Sequence, residues 1–369
     1  MGRTTAWLGR TLLCTTAVLT AGSAQAQDVE RYSISGNAVS VFNLAGAVRM
    51  ERGSGDNVIV EVRRGGRDAQ RLEVERREVD GRAALIVRYP EGDVVYRADR
   101  GGESRTSLSV RSDGTFYGDR RGGDRVNIRS RGRGTEAHAD LRVLVPTGRS
   151  VEVMLGVGSV VASNIEGDLT IDVGAAPIET SATRGRLYLD TGSGTVDVRN
   201  AQGDVRIDTG SGVVRAHQVV GDLLVDTGSG QVELTEVRGS RLHVDTGSGR
   251  VRAENVRADD VLVDTGSGSV TMAGVAARDV EIDTGSGGVE LELLSDVDRL
   301  VVDTGSGSIR VAVPEDFGGE FEIEGSRVSV DVPATLRESD RDSARGTFGD
   351  GRGTIEIDTG SGRVSIVRR

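Results

Sequence analysis

The five-residue sequence Asp-Thr-Gly-Ser-Gly recurs through the second half of this chain. The first residues of its copies are Asp190, Asp208, Asp226, Asp245, Asp264, Asp283, Asp303 and Asp358. The first seven copies are separated by 18, 18, 19, 19, 19 and 20 residues. Such a period is typical of stacked repeat proteins, in which each unit is too small to bury its apolar face alone and buries it against its neighbours. The spacing therefore predicts an elongated array of similar units.

Each unit contains two segments in which apolar and polar residues alternate, which is the pattern of a strand. In one unit these segments contain Leu223 and Val225, then Val232 and Leu234, and a second turn lies near Arg238. We predict an all-β fold, a single-stranded parallel β-helix or β-solenoid, with parallel strands about 4.8 Å apart in successive coils. It should have about ten coils of 18–20 residues and, from the preference of parallel crossovers, a right-handed path.

The composition agrees with a thin core built from repeated strands. Aromatic residues make up only 3% of the chain, Gly occurs 53 times, and all 46 basic residues are Arg. An enzyme of this length usually has more bulky core residues, whereas Val, Leu, Ile and Ala are well suited to short stacked strands.

Residues 150–369 are predicted to form the repeat solenoid. Degenerate units at Met154 to Gly158 and Asp172 to Ala176 keep the 18-residue spacing upstream of the first perfect copy. A further degenerate unit at Ile323 to Ser326 follows the copy at Asp303. Residues 334–353 are polar, and we expect this insert to form a loop that interrupts the last unit.

One outward position of the second segment provides a test of in-register stacking. In successive units it is occupied by Asp197, Arg215, Glu233, Arg252, Thr271, Glu290 and Arg310. Opposite charges then mostly fall next to each other, and cross-strand pairs of this kind contribute roughly 0.2–1 kcal/mol each.

The Asp residues of the repeat form a second predicted column. Neighbouring carboxylates about 5 Å apart would repel by roughly 0.8 kcal/mol in water and about 3 kcal/mol at an effective dielectric constant of 20. The favoured explanation is that each Asp accepts backbone N–H groups of the following Gly and Ser in an Asx-turn, with Gly supplying a positive φ. The alternative is a row of calcium ions held with Ser or Thr hydroxyls. The candidate ligands are Asp190, Asp208, Asp226, Asp245, Asp264, Asp283 and Asp303.

Calcium remains the minor alternative, because the nine-residue repeat of calcium-binding β-rolls is missing. We therefore expect no cofactor.

The segment from Leu223 to Ser229 resembles the active-site loop of aspartic peptidases. That resemblance implies two Asp residues that share one proton across a cleft, on a bilobal or homodimeric β-fold. Eight equivalent copies argue against it, and His138, His217 and His243 belong to no recognisable catalytic set. We predict a protein that is not an enzyme, with a glycan-cleaving β-helix enzyme and an aspartic peptidase-like protein as alternatives.

Residues 1–26 have the features of a signal peptide. Arg3 and Arg10 precede an apolar run from Leu12 to Ala21, and Ala24-Gln25-Ala26 has the form of a signal-peptidase site. The run is shorter than the roughly 20 residues of a membrane span, so we expect cleavage after Ala26 and no transmembrane segment in the mature chain. The mature protein should be secreted, periplasmic or on the cell surface.

Residues 27–149 are predicted to be an N-terminal β region that caps the solenoid. They contain 23 Arg and 19 acidic residues, a net charge of +4, whereas residues 150–369 contain 21 Arg and 38 acidic residues, a net charge of −17. Within the cap, residues 97–136 are rich in Arg and Gly, and we expect a mobile, solvated excursion.

This excursion contains the candidate partner-binding residues Arg120, Arg121, Arg125, Arg129, Arg131 and Arg133. They would suit an envelope glycan, an anionic lipid or another protein. Nucleic acid is not expected, because only Phe116 and Tyr117 offer stacking surfaces and the protein is predicted to be exported.

The mature chain also resembles a known family. The segment from Val39 to Val48, the segment from Leu141 to Pro146 and the Thr-Gly-Ser-Gly units are similar to motifs of the bacterial putative-adhesin family, a class of domains of unknown function. The resemblance implies a secreted or envelope-exposed β-solenoid with an adhesin-like or structural role. Its motifs are turns and core positions, so it implies no catalytic residues.

Overall fold

The computed structural model describes residues 29–97, 104–117 and 122–369. The N-terminal strands are β1 (Val29–Ile34), β2 (Ala38–Arg52), β3 (Val58–Gly65), β4 (Glu73–Val79), β5 (Arg82–Arg88), β6 (Val94–Val95), β7 (Arg105–Val110), β8 (Asp124–Arg129) and β9 (His138–Val145), with a 3-10 turn at Ala69–Arg71. The predicted signal peptide, residues 1–26, lies outside the described residues. No helix in the described ranges is long and apolar enough to cross a membrane.

The repeat region consists of strands throughout. The first are β10 (Ser150–Glu166), β11 (Leu169–Ala175), β12 (Ile178–Arg184), β13 (Leu187–Ser193), β14 (Val196–Gln202), β15 (Val205–Ser211), β16 (Val214–Val220), β17 (Leu223–Thr227), β18 (Val232–Arg238), β19 (Arg241–Thr246), β20 (Val251–Arg257), β21 (Asp260–Thr265) and β22 (Val270–Ala276). The others are β23 (Asp279–Thr284), β24 (Val289–Leu293), β25 (Arg299–Thr304), β26 (Ile309–Val313), β27 (Gly319–Glu324), β28 (Arg327–Asp331), β29 (Ala334–Ser339), β30 (Ser343–Phe348), β31 (Thr354–Thr359) and β32 (Arg363–Arg368).

Each coil contributes one strand to each of two parallel sheets. The first sheet contains the odd-numbered strands from β11 to β25, and the second sheet contains the even-numbered strands from β12 to β26. Strands β2 and β10 are long enough to belong to both sheets: Val39 pairs with Val151 in the first and Val48 with Val160 in the second. The predicted β-solenoid is confirmed, with two strands per coil.

One continuous apolar core lies between the two sheets. Leu223 and Val225 enter it from the first sheet, Val232 and Leu234 enter it from the second, and each is almost completely buried. Because side chains alternate between the two faces of a strand, the period-2 pattern of the sequence places every second residue inside. At roughly 1.5–3 kcal/mol for each large aliphatic side chain, this burial is the main favourable contribution to folding.

The outward charge column of the second sheet has the predicted register. Asp197 pairs with Arg215, which pairs with Glu233, which pairs with Arg252. Arg215 and Glu233 form an ion pair of 2.9 Å between coils. Arg252 instead pairs with Glu254 on its own strand, at 3.0 Å. The stacking prediction is confirmed, although only part of the column pairs along the rod.

The coils at the C-terminal end follow a different order in space from their order in sequence. Strands β31 and β32 stack directly on β25 and β26, with Asp358 beside Asp303. Strands β27 and β28 then stack on the far side of β31 and β32. The last coil of the chain therefore lies between two coils that precede it in sequence.

The prediction that residues 334–353 form a loop is wrong. Strand β30 runs antiparallel to both β27 and β29, so the insert is a hairpin that extends the first sheet. The ring of Phe348 stacks on that of Phe321, with 4.2 Å between centroids, and Ala344 is buried. The hairpin pairs the backbone edge that β27 would otherwise leave open, and open edges are a liability.

At the N-terminal end, both sheets end in antiparallel pairs. In the first sheet β5 lies parallel to β2, and β4 then runs antiparallel to β5. In the second sheet β9 lies parallel to β2, and β3 and β1 follow as antiparallel strands. Buried Asn43 donates a hydrogen bond of 2.7 Å to the carbonyl of Ala139 and accepts one of 2.9 Å from the Tyr89 hydroxyl. Gly46 has φ +139°, and a Cβ there would lie 1.9 Å from the Ala139 carbonyl oxygen. These contacts give Asn43 and Gly46, in the segment from Val39 to Val48, a structural role.

The Arg- and Gly-rich segment is not a mobile excursion in its described part. Strands β6, β7 and β8 form a separate three-stranded sheet, here named the cap sheet. Leu108, Phe116 and Ile128 of this region are buried in one cluster with Phe42 and Met154 of the rod. The prediction failed because these apolar residues are far apart in a polar sequence.

Candidate functional site

One outward column of the first sheet changes from apolar to acidic along the rod. Ile86, Phe42 and Met154 occupy this position in the first layers, beneath the cap sheet. The following layers contain the Asp column, which is Asp172, Asp190, Asp208, Asp226, Asp245, Asp264, Asp283, Asp303 and Asp358. The cap sheet thus covers the layers in which the carboxylate is replaced by an apolar side chain.

From Thr227 onward, the Asp-Thr-Gly-Ser-Gly corner is held by its Thr and not by its Asp. In the earlier copy at Asp208, the buried Oγ1 of Thr209 has no hydrogen-bond partner among the described residues. The Oγ1 of buried Thr284 accepts a hydrogen bond of 3.0 Å from the Gly287 N–H and donates one of 3.1 Å to the Gly268 carbonyl of the preceding coil. Within the described ranges, no Asp of the column accepts a hydrogen bond from the Gly or Ser that follows it. The Asx-turn prediction is therefore wrong. The N–H of the first Gly bonds instead to a carbonyl of the preceding coil, as Gly285 does to Thr265 at 3.2 Å.

The second Gly of the corner is required for close approach between coils. A Cβ at Gly268 would lie 1.7 Å from the carbonyl oxygen of Gly249, one coil earlier. The expected positive φ is not observed at Gly230, Gly249 or Gly268. Both the Thr and the Gly of the motif thus serve the stacking of coils.

Asp172 lies at the junction between the cap sheet and the Asp column. Burial, followed by the charges of Asp190 and Glu152, raises the pKa of this carboxyl to about 7. Tyr117 of the cap region packs against Gly174, and burial, together with Asp172 and Asp190, raises the pKa of its hydroxyl. The junction therefore concentrates acidic groups in a partly dehydrated place, where the neutral form of Asp172 is favoured.

Further along the rod the Asp column is exposed. The pKa values of Asp245 and Asp283 are raised, first by partial burial and then by the neighbouring Asp residues. Across residues 29–97, 104–117 and 122–369, no group of three or more His, Cys, Asp or Glu side chains is placed to hold a metal ion. The Asp residues form a ladder along one surface, unlike the two loops that face each other across the cleft of an aspartic peptidase.

The histidines are not gathered into one site. His138 contacts Tyr96 near the cap, with 5.3 Å between ring centroids. His217 faces outward on the second sheet, between Arg199 and Thr235. His243 belongs to the first sheet. These separate positions provide no triad.

A groove runs beside the Asp column on the first sheet, parallel to the rod axis. Its volume is about 570 Å³. One wall is formed by the turns that precede the strands, and the other by the outward side chains two residues before each Asp. The wall of turns contains Asp168, Arg186, Asp204, Asp222 and Arg241. The wall of outward side chains contains Thr170, Tyr188, Arg206, Leu224 and His243. We name this feature the axial groove.

The wall of turns is fixed by hydrogen bonds between coils. Asp168 accepts bonds of 2.9 Å from the Arg186 N–H and 2.7 Å from its guanidinium, and these bonds lower the pKa of Asp168. Asp222 accepts bonds from the backbone N–H groups of Ser240 and Arg241 at 3.1 and 3.0 Å. Backbone capping by Asp thus occurs at this second turn. The recurrence of Asp or Arg every 18 or 19 residues was the sequence signal for this wall.

The described residues of the candidate Arg cluster lie in β8 and in the turn that follows it. Arg129 forms an ion pair of 2.9 Å with Asp93, which also accepts a hydrogen bond of 2.8 Å from Asn127. Arg125 is exposed at the start of β8, and Arg131 and Arg133 are exposed in the turn after its end. Arg120 and Arg121 lie outside the described residues.

Comparison with known proteins gives a family match and a weak structural similarity. The sequence model of the Toastrack DUF4097 family matches residues 137–367. None of the curated proteins compared with the chain matches it. A solved structure titled a "putative cell adhesion protein", from Clostridium sporogenes ATCC 15579, aligns over 93% of this chain and 99% of that chain, at 8% identity and a TM-score of 0.20. The family match spans β9 to β32 and so includes the whole repeat solenoid.

Proposed function

The chain belongs to the Toastrack DUF4097 family, and from this premise we propose that it is a non-enzymatic, extracytoplasmic β-solenoid with an adhesin-like or structural role in the cell envelope. The observation that carries the proposal is the use of the repeated motif. Thr284 bonds two coils together and Gly268 permits their close approach, so the Thr and Gly of the peptidase-like loop build the rod.

The shape and surface of the rod support a role in binding or spacing. Stacked coils present the same positions at intervals of about 4.8 Å, which produces long, regular surfaces. Repeat proteins use such surfaces to contact extended partners. Two of these surfaces, the Asp column and the axial groove, lie side by side on the first sheet.

Export is part of the proposal. The basic residues, apolar run and Ala24-Gln25-Ala26 of residues 1–26 support a cleaved signal peptide. The protein should be produced from the full gene in a bacterial host and its intact mass measured after export. We expect a chain that begins at Gln27, whereas retention of residues 1–26 in the cytoplasm would contradict this part of the proposal.

The competing class of function is an enzyme. Asp172 is the strongest candidate catalytic residue, because a carboxyl with a pKa of about 7 can act as an acid or base. The exported protein should be incubated with panels of peptides and polysaccharides, and the products analysed by mass spectrometry. We expect no turnover. Turnover that is abolished by Asp172→Asn in a folded variant would replace the proposal with an enzymatic one.

A further inference from the structure

The axial groove has the features of a binding site for a linear ligand. It extends over the five coils that contain Asp168, Arg186, Asp204, Asp222 and Arg241, a length of about 19 Å at about 4.8 Å between coils. Its volume of about 570 Å³ lies within the usual range of ligand sites. A ligand that filled it would lie along the rod, across the strands.

The backbone at the groove leaves no place for a peptide strand. The strands beneath it, β11, β13, β15, β17 and β19, are each paired on both sides within the first sheet. A peptide could therefore not add to a sheet edge, which is how extended peptides commonly gain their main-chain hydrogen bonds. Recognition must come from side chains.

The charges of the groove select against polyions of either sign. Arg186 and Arg241 are neutralised by Asp168 and Asp222, at 2.7 and 3.1 Å. The adjacent Asp column would repel a polyanion. The groove itself is lined by four Arg and three Asp, so it has no excess negative charge to attract a polycation. What remains favourable is a neutral ligand whose groups both donate and accept hydrogen bonds, as hydroxyl groups do.

The middle of the groove provides an aromatic surface and an available guanidinium. Arg206 lies over the ring of Tyr188, with 5.7 Å between its Cζ and the ring centroid. Among the described residues, Arg206 forms no ion pair, so its N–H groups can bind a ligand. Leu224 and His243 continue the same wall in the next two coils. A flat amphipathic ring such as a sugar matches this combination of polar and apolar contacts.

We propose that the axial groove binds a neutral linear polysaccharide, aligned with the rod axis and held by Tyr188 and Arg206. The proposal rests on the non-enzymatic binding role proposed above and specifies its ligand. It differs from the predicted contacts of the Arg-rich segment, which would attract anionic partners.

The test is calorimetric titration of the full exported protein with chito-oligosaccharides and β-glucan oligosaccharides. We expect saturable binding to at least one series, weakened about tenfold or more by Arg206→Ala, because a hydrogen bond to a charged group is lost. Tyr188→Ala should weaken binding similarly. Arg310→Ala, an exposed substitution on the second sheet, should leave it unchanged. Thermal unfolding of each variant confirms that it is folded.

The outcomes separate the two proposals. If neither oligosaccharide series binds, or if binding is unaffected by both groove variants, the inference about the groove is overturned. If the protein then still binds isolated envelope material without turnover, its binding role stands. Preferential binding of peptides or of a polyanion such as polygalacturonate to the same groove residues would also overturn the polysaccharide proposal. Turnover of any ligand contradicts the non-enzymatic function itself.

Discussion

Thr359 donates a hydrogen bond of 2.8 Å to the carbonyl oxygen of Gly307, which lies 52 residues earlier in the chain. Thr304 makes the equivalent bond to Gly287 at a separation of 17 residues. The same contact therefore joins coils that are consecutive in sequence and coils that are not. It identifies β31 and β32 as a coil inserted between β25 and β26 on one side and β27 and β28 on the other.

The inserted coil predicts an unequal response to two deletions. Deletion of Gly228–Thr246 removes one internal coil and joins Thr227 to Gly247, so the array should fold as a shorter rod. Deletion of residues 354–369 removes the parallel neighbours of both β27 and β28. In the second variant we expect residues 319–348 to lose hydrogen-exchange protection, while in the first they keep it. Equal protection in the two variants would show that the position of the inserted coil is unimportant.

The Thr hydroxyl predicts a specific stability loss. Thr284→Val keeps the shape of the side chain but leaves the Gly287 N–H and the Gly268 carbonyl without their partner. We expect a loss of roughly 1–3 kcal/mol in the free energy of unfolding, measured with urea. The matched control is Ser286→Ala, an exposed position in the same corner, which should change stability by less than about 0.5 kcal/mol. A similar loss in both variants would contradict the role assigned to the Thr.

The pKa of Asp172 predicts a pH dependence of stability. Because the folded state raises this pKa to about 7, it binds the proton more tightly than the unfolded chain does. The cost of ionising Asp172 is therefore absent below about pH 4, grows as the pH rises, and is complete above about pH 7.

Asp172→Asn should remove this dependence and stabilise the protein at pH 8 by roughly 2–4 kcal/mol. Urea unfolding of both proteins at pH 5 and pH 8 measures the effect. An unchanged difference between the two pH values in the variant would place the titrating group elsewhere.

The Arg-rich segment predicts a separation of stability from binding. Arg129→Ser removes the ion pair with Asp93 and should lower the melting temperature of the cap. Replacement of Arg125, Arg131 and Arg133 by Ser should spare the fold, because these side chains are exposed. It should also weaken binding to vesicles of anionic lipid, and the binding of the parent protein should fall with salt, since exposed charges are screened beyond about 10 Å at 0.1 M. Binding that persists in the triple variant would exclude these residues as the contact.

The architecture could be predicted because a strict period places each residue of one coil beside its equivalent in the next. That rule gave the register of Asp197 and Arg215, and of Asp226 and Asp245. It could not give the order of the last coils, because spacing alone places the unit at Ile323 next to that at Asp303. In the structure, β30 pairs with one edge of β27 and β31 with the other, and spacing alone does not reveal these pairings.

The cap and the groove were missed for related reasons. Leu108, Phe116 and Ile128 are isolated in a polar segment, and only the apolar residues Phe42 and Met154 at Asp-column positions indicate that something covers the first layers. The axial groove is formed by side chains from five coils. The wall that contains Asp168 and Arg241 lies in segments that the sequence pattern marks only as turns. The Asp column was located correctly, but the hydrogen bonds of the corner were assigned to the carboxylate. In the structure, the N–H of Gly285 bonds to a carbonyl of the preceding coil and that of Gly287 bonds to the Thr284 hydroxyl.

The central claim is that the Asp-Thr-Gly-Ser-Gly repeat builds the rod through its Thr and Gly, with no metal ion held by its Asp. Thermal unfolding of the parent protein and of the Asp226→Asn, Asp245→Asn double variant, each with calcium or with a chelator, tests it most directly. Because burial and the charges of Asp226 and Asp264 raise the pKa of Asp245, loss of the carboxylates should preserve or raise the melting temperature. Neither calcium nor the chelator should shift it in either protein. A melting temperature raised by calcium in the parent protein alone, or lowered by the double substitution, would contradict the claim.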